Sequence, residues 1–195
     1  MPDKPAMRLG SDKRCPWADT SPVMRSYHDD EWGVPSHDDR HLFEMLTLEG
    51  AQSGLSWATI LNRREGYRRA FAHFDPVVVA AFDDRRLEQL REDTGIIRNR
   101  LKIYATRTNA QAVLRVQAEL GSFSTYLWNW VDGNAIVNHP RTLGDLRPTT
   151  ELSDRISKDL KRRGFTFVGS TIVYSLLQAI GIVDDHLTSC PFKRR

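Results

Sequence analysis

Along the 195-residue chain, apolar side chains recur at intervals of three and four rather than two, the spacing of helices that bury one face. Leu42, Met45, Leu46 and Glu49 share a face of one predicted helix, which Asp38 or Asp39 is placed to cap. A second helix is predicted after Trp57, with Ile60, Leu61, Tyr67 and Phe71 as its apolar positions. Asp75-Pro76 then offers a cap and a first-turn proline for a short third one. Asp84 to Glu92 and Ile96 to Leu120 read as two more helices, joined by a tight turn at Thr94-Gly95. Ser122 to Val131 follows, and Asp132-Gly133-Asn134 ends it with residues suited to turns or left-handed backbone. Asn138 to Pro148 reads as a loop. Glu151 to Arg163 reads as an amphipathic helix with a basic outer face, stopped by Gly164. Phe167 to Ile180 is apolar nearly all round, as a central buried helix is. The predicted class is all-α with short connections.

Residues 1–13 combine Pro, Lys, Asp and Gly with few apolar side chains, so a mobile leader is expected there. Residues 14–195 are expected to form one domain of two packed helical lobes, since the length leaves no room for independent modules. No window approaches the ~18 uninterrupted apolar residues of a membrane span. The leader also lacks the apolar middle of a secretory signal, so the expected compartment is the cytoplasm, with no membrane partner. A net charge of +3 suits a polyanionic partner but is too mild to establish one.

Two cysteines, Cys15 and Cys190, stand near opposite ends of the chain. Cys15 lies thirteen positions before His28, while His186 and Cys190 form an H-x-x-x-C pair. If that pair occupied a helical turn, imidazole and thiolate would project in one direction toward a shared ion. Spacing alone leaves two readings open: a tetrahedral metal site, or two unrelated buried thiols beside satisfied histidines. Trp17, Tyr27, Trp32 and Trp57 gather around the first pair, either as core or as faces on which a nucleobase stacks. Glu49 ends an apolar helix, where an ionised carboxylate needs partners or a cavity. The following Gln52-Ser53-Gly54-Leu55-Ser56-Trp57 is a short turn that could present Leu55 as a wedge.

Several long segments now resemble one family. They are Arg14-Cys15-Pro16-Trp17, Tyr27 through Pro35, Leu42-Phe43-Glu44-Met45, Leu48-Glu49-Gly50 through Trp57, and Gly164 through Gly169 with Asp185-His186. Together they resemble the 3-methyladenine DNA glycosylase I family from about Arg14 to Cys190. The resemblance implies a helix-hairpin-helix DNA glycosylase fold in which one structural zinc ion joins the N- and C-terminal segments through Cys15, His28, His186 and Cys190. It implies that Glu49 is the base-recognising, catalytic carboxylate. Tyr27 and Trp57 take its base-stacking positions, and Trp17 and Trp32 line the same pocket. Gln52, Gly54 and Leu55 match the turn that fills the gap left by a flipped nucleotide. The hairpin Asp93-Thr94-Gly95-Ile96-Ile97-Arg98 has one glycine where the wider superfamily commonly shows two. Gly95, Arg98 and Arg100 are still expected to hold a phosphate. The superfamily's assisting Asp is assigned to neither Asp132 nor Asp145.

The implied partner is double-stranded DNA containing alkylated adenine, scanned by a monomer. Methylation at N3 leaves the adenine cationic, so breaking the glycosidic bond releases a neutral base without acid assistance. No matched position supplies a lysine nucleophile, which implies a monofunctional enzyme that leaves an abasic site. The rival reading is a zinc-stapled DNA-binding protein without catalysis, with Glu49 on its surface. A zinc hydrolase is disfavoured, because two thiolates and two imidazoles leave the ion no open position.

Overall fold

The structure, a computed structural model, describes residues 13–194. The expected leader lies, Lys13 apart, outside the described residues. A 3₁₀ turn at Pro16–Thr20 leads into α1 (Pro22–Asp30), which starts where the Ser21 hydroxyl accepts the Met24 N–H at 3.3 Å and Pro22 needs no acceptor. The apolar spacing did not predict α1, because most of its positions are polar. Helix α2 (Asp39–Gln52) is capped by Asp38, whose side chain accepts the Arg40 N–H at 2.8 Å. Asp39 reaches elsewhere: its carboxylate takes the N–H groups of Phe123 and Ser124 at 2.9 and 2.7 Å, so it caps α8 (Phe123–Trp128). From Leu42 to Ala51 every residue of α2 is buried, and the helix packs against α7 (Arg100–Leu120), α8 and α10 (Ser170–Ala179).

The single helix expected after Trp57 is two, α3 (Trp57–Leu61) and α4 (Arg64–Ala70). The break falls where Arg64 enters a half-buried ion network, donating to Glu31 at 2.6 Å and Glu44 at 2.8 Å. A tertiary network of that kind leaves no mark on local periodicity. Asp75 and Pro76 start α5 (Pro76–Ala80) as expected, with Asp75 accepting from Val77 and Val78.

Between α6 (Asp84–Leu90) and α7 the connection runs through Arg91–Asn99, longer than the two-residue turn expected. Ile96 and Ile97 are apolar because Ile96 is buried in the turn, while the Tyr67 hydroxyl accepts the Ile97 N–H at 3.3 Å. The turn lies hard against α4: a Cβ on Gly66 would sit 2.1 Å from the Gly95 carbonyl oxygen, so neither strand of backbone can move apart for a side chain. After α8 the chain forms β1 (Ile136–Val137), a 3₁₀ turn at Leu143–Asp145, α9 (Glu151–Arg162), α10 and β2 (Val183–Asp184).

The two strands pair in parallel, Ile136 with Val183 and Val137 with Asp184, and are the exception to the helical expectation. Two residues per strand are too few for an alternating pattern to be legible. Helix α10 begins at Ser170 rather than Phe167, whose φ of 54° is left-handed. Asn109 of α7 holds the preceding Thr166 at both backbone groups, N–H at 2.8 Å and C=O at 3.0 Å. The buried apolar side chains form one cluster that runs from Cys15 to Cys190.

Candidate functional site

Helix α1 ends with two buried neighbours, Tyr27 and His28, that serve two different places. His28 belongs to a corner where both chain ends meet. The Sγ atoms of Cys15 and Cys190 and a ring nitrogen of His28 all lie within 4.8 Å of one another, with His28 Nε2 3.5 Å from Cys190 Sγ. His28 Nδ1 bonds Asp29 at 2.7 Å, and Arg14 in turn holds Asp29 at 2.9 Å. His186 is not within the same 4.8 Å group, but its ring centroid is 4.8 Å from that of His28.

His186 Nδ1 bonds Asp184 at 2.8 Å, while its Nε2 is buried with no partner among the described residues. A buried imidazole nitrogen without a partner is costly, and the carboxylate on the opposite nitrogen is the usual orienting contact of a metal-bound histidine. The expected helical turn for His186 and Cys190 does not occur. They lie in the irregular segment after β2, and it is the β1–β2 pairing that fixes this segment. Gly33 permits the approach of His186, since a Cβ there would meet its ring at 2.9 Å and φ is +75°. Within the cluster, the Cys15 thiol and the His28 imidazole hold the Cys190 thiol well below its ordinary value. The partner Cys190 and burial push Cys15 up. The hydrogen bonds of His28 to Cys190 and Asp29 outweigh its burial and raise its imidazole above the ordinary value.

Tyr27 faces a cavity of about 290 Å³ lined also by Trp17, Trp32, Glu49, Gln52 and Trp57. The Trp17 and Trp32 rings meet edge to face at 4.9 Å, and Tyr27 and Trp57 lie 5.3 Å apart, tilted by 60°. That separation is too short for a base to enter between Tyr27 and Trp57. A base must stack on one ring face or displace Trp57, which heads the five-residue α3 and is only half-buried. Trp57 Nε1 is buried with no partner among the described residues.

Glu49, in the last turn of α2, is 4 % exposed, and among the described residues no donor reaches its carboxyl. Burial alone pushes its pKa up to about 8. Burial and the Glu49 charge also raise Tyr27 well above its ordinary value, so Tyr27 stays a neutral phenol. A carboxyl of this kind is not satisfied by the protein around it.

Cavity residues that sequence reasoning missed are Met24, Leu146, Ser175 and Gln178. Ser175 and Gln178 had a signal: they are polar interruptions three apart on the otherwise apolar α10. Leu146 comes from the loop before α9 and had none. At the cavity rim, Gln52 ends α2, Gly54 has φ +80°, and Leu55 is 40 % exposed with its N–H bonded to the Gln52 carbonyl at 2.6 Å. In the turn before α7, Asp93 takes the Gly95 N–H at 2.7 Å and Tyr67 the Ile97 N–H, so neither amide is available to a phosphate. Arg98 is exposed, whereas Arg100 is engaged by Glu88 at 3.3 Å and lies 4.4 Å over the Tyr104 ring. Asp145 lies outside the base cavity and Asp132 ends a 3₁₀ turn with φ 51°.

The family model described as methyladenine glycosylase matches residues 17–194. DNA-3-methyladenine glycosylase 1 of Escherichia coli is 47% identical over 178 residues, covering 91% of this chain and 95% of its own. DNA-3-methyladenine glycosylase of Haemophilus influenzae is 43% identical over 180 residues, covering 92% and 97%. Among solved structures, a crystal structure of 3-methyladenine DNA glycosylase I superposes with a TM-score of 0.91 at 46% identity, covering 93% of this chain and all of that one. The Staphylococcus aureus 3-methyladenine DNA glycosylase I, solved for the basis of 3-methyladenine recognition, gives a TM-score of 0.90 at 37% identity, covering 93% and 96%.

Proposed function

The chain belongs to the methyladenine glycosylase family, and from that premise we propose that it excises N3-methyladenine from alkylated double-stranded DNA. The observation that carries this reading is Glu49, a buried carboxyl without a donor, set among four aromatic rings in a cavity that opens beside an exposed leucine. A noncatalytic DNA-binding surface has no use for that arrangement.

The duplex lies against the hairpin before α7. The Arg98 side chain and the first amides of the 21-residue α7 hold a phosphate there, favoured by the helix dipole. Leu55 enters the stack as the nucleotide leaves it, supported by Gln52 and Gly54. Unstacking costs a few kcal/mol, which contact with the face of Tyr27 or Trp57 offsets. Trp17 and Trp32 close the far side. A cationic base over these rings gains roughly 0.5–2 kcal/mol that plain adenine lacks.

Glu49 acts on the same difference in charge. The empty site keeps its proton up to about pH 8. Entry of the cation expels that proton, and the resulting carboxylate accepts hydrogen bonds from the base and stabilises the cationic sugar as the bond breaks. The base leaves neutral, the sugar is taken by water, and Glu49 is free to take a proton back. Among the described residues no lysine lines the cavity, so the reaction stops at an abasic site with the strand intact.

Cys15, His28, His186 and Cys190 would hold one zinc ion, for which the free Nε2 of His186 and the two carboxylate-held imidazoles are a fitting donor set. Bound there, it supplies a cross-link between the chain ends and no open coordination position. The test of the activity is incubation with methylated duplex and chromatography of what is released. Free 3-methyladenine with strands that break only on alkaline treatment is the expected result. Release of no base, or strand cleavage without alkali, overturns the reading.

A further inference from the structure

The hairpin and the turn that bears Leu55 come from distant parts of the chain, yet one side chain joins them. Lys102 is the third residue of α7, and its own N–H bonds the Asn99 side chain at 3.1 Å, so its backbone belongs to the hairpin end of that helix. Its ammonium group donates to the Ala51 carbonyl at 2.8 Å and to the Ser53 carbonyl at 2.7 Å. Those carbonyls flank Gln52, where α2 ends and the turn to Leu55 begins. They are among the last carbonyls of a helix, which lack intrahelical partners and sit at the negative end of its dipole. Lys102 lines a small pocket between α2 and α7 together with Ala51, Ile97 and Ile103, so the bridge spans the two helices rather than lying on one of them.

We propose that Lys102 is a positioning residue that sets the depth of the Leu55 turn from the hairpin's hold on the backbone, and so governs extrusion of the nucleotide rather than recognition of the base. This rests on the glycosylase reading above. The two carbonyls it grips lie on either side of the residue that starts the turn, so losing both bonds frees the turn to retreat while the hairpin stays docked. Lys102 does not line the base cavity, and Glu49 keeps its surroundings without it. A purely structural helix cap would behave differently, lowering stability and all activities together.

Lys102→Met keeps the stem and removes the donors, and Lys102→Arg restores donors. Each is measured for single-turnover excision from methylated duplex and from methylated single strand, for binding of free 3-methyladenine by tryptophan fluorescence, and for binding of undamaged duplex. Lys102→Met is expected to slow excision from duplex on the order of tenfold, with changes under about threefold in the other three measurements and recovery in Lys102→Arg. Adding Leu55→Ala to Lys102→Met is expected to cost little more, since both act on one step. Equal losses on single strand and duplex, an unchanged duplex rate, or additive effects with Leu55→Ala would overturn the proposal. The wild-type control separates it from the glycosylase reading: if wild type releases no base from either substrate, that reading falls and this one with it.

Discussion

The Cys/His corner and the aromatic cavity share a wall in α1, yet they treat polar groups in opposite ways. In the corner nearly every polar atom is bound to another: Arg14 to Asp29, Asp29 to His28, His28 to Cys190, Asp184 to His186. The arrangement is closed and turned inward, and only the His186 Nε2 is left without a partner among the described residues. In the cavity a carboxyl and an indole N–H have no partner among the described residues, and an open volume faces them. The corner's unsatisfied atom belongs to a ring beside His28, whereas Glu49 and Trp57 line an open volume. On the proposed reading, one place serves stability and the other gives up stability for binding.

The largest effect expected from breaking this contrast is in the corner. Cys190→Ala, or removal of metal by a chelator, should cost roughly 3 kcal/mol, seen as a fall of about 6–12 °C in Tm for a domain this long, with the intrinsic excision rate of the folded fraction nearly unchanged. Metal analysis of purified protein should give one zinc per chain, and a metal-free protein with the same Tm would refute the staple. In the cavity the balance reverses. Glu49→Gln should slow excision of 3-methyladenine by one to two decades, the loss of a charged hydrogen bond worth roughly 1.5–3 kcal/mol, while zinc content and binding of undamaged duplex hold.

The same substitution sharpens the comparison through pH. Glu49 has a folded pKa of about 8 against an ordinary 4.5, so the folded chain retains a proton that the unfolded chain loses. Its contribution to stability is therefore whole below about 4.5 and is lost as pH rises toward about 8. Glu49→Gln should then raise Tm by several degrees near pH 8 and barely change it near pH 4.5, a gain where the corner variant shows a loss. The kcat/KM of wild type should climb with pH up to about 8 and level off, because cation entry must expel the proton, and the variant should be flat.

The smallest effect belongs to the phosphate contacts. Arg98→Ala should weaken binding to all duplex sequences a few fold and reduce the salt slope by about 1. Arg100→Ala should do less, since Glu88 and Tyr104 already engage Arg100. A change in which base is excised would place either residue elsewhere.

The helical class, the cap at Asp38, the start at Asp75-Pro76 and the odd position of Glu49 were legible because each rests on neighbours within a turn or two. The break between α3 and α4, the length of the turn before α7 and the late start of α10 were not. Each is decided by a distant side chain, respectively Glu31 and Glu44, Tyr67, and Asn109. The site divides in the same way. Motifs in the sequence name Cys15, His28, Tyr27, Trp57 and Glu49. Only the fold shows that Tyr27 and Trp57 touch, that Arg100 is engaged, and that Ser175 and Gln178 complete the cavity.

By itself the sequence determined which residue types are available and where helices begin, since periodicity and capping act over a few residues of chain. The tertiary structure decided their electrostatics and reach. Burial is what turns Glu49 from an ordinary carboxylate into one that holds its proton to about pH 8, and backbone bonds from Gly33 to Gln178 and from Ser36 to Ile180 are what bring His186 beside His28. Solvation and long-range pairing depend on what lies across space, which no local pattern encodes.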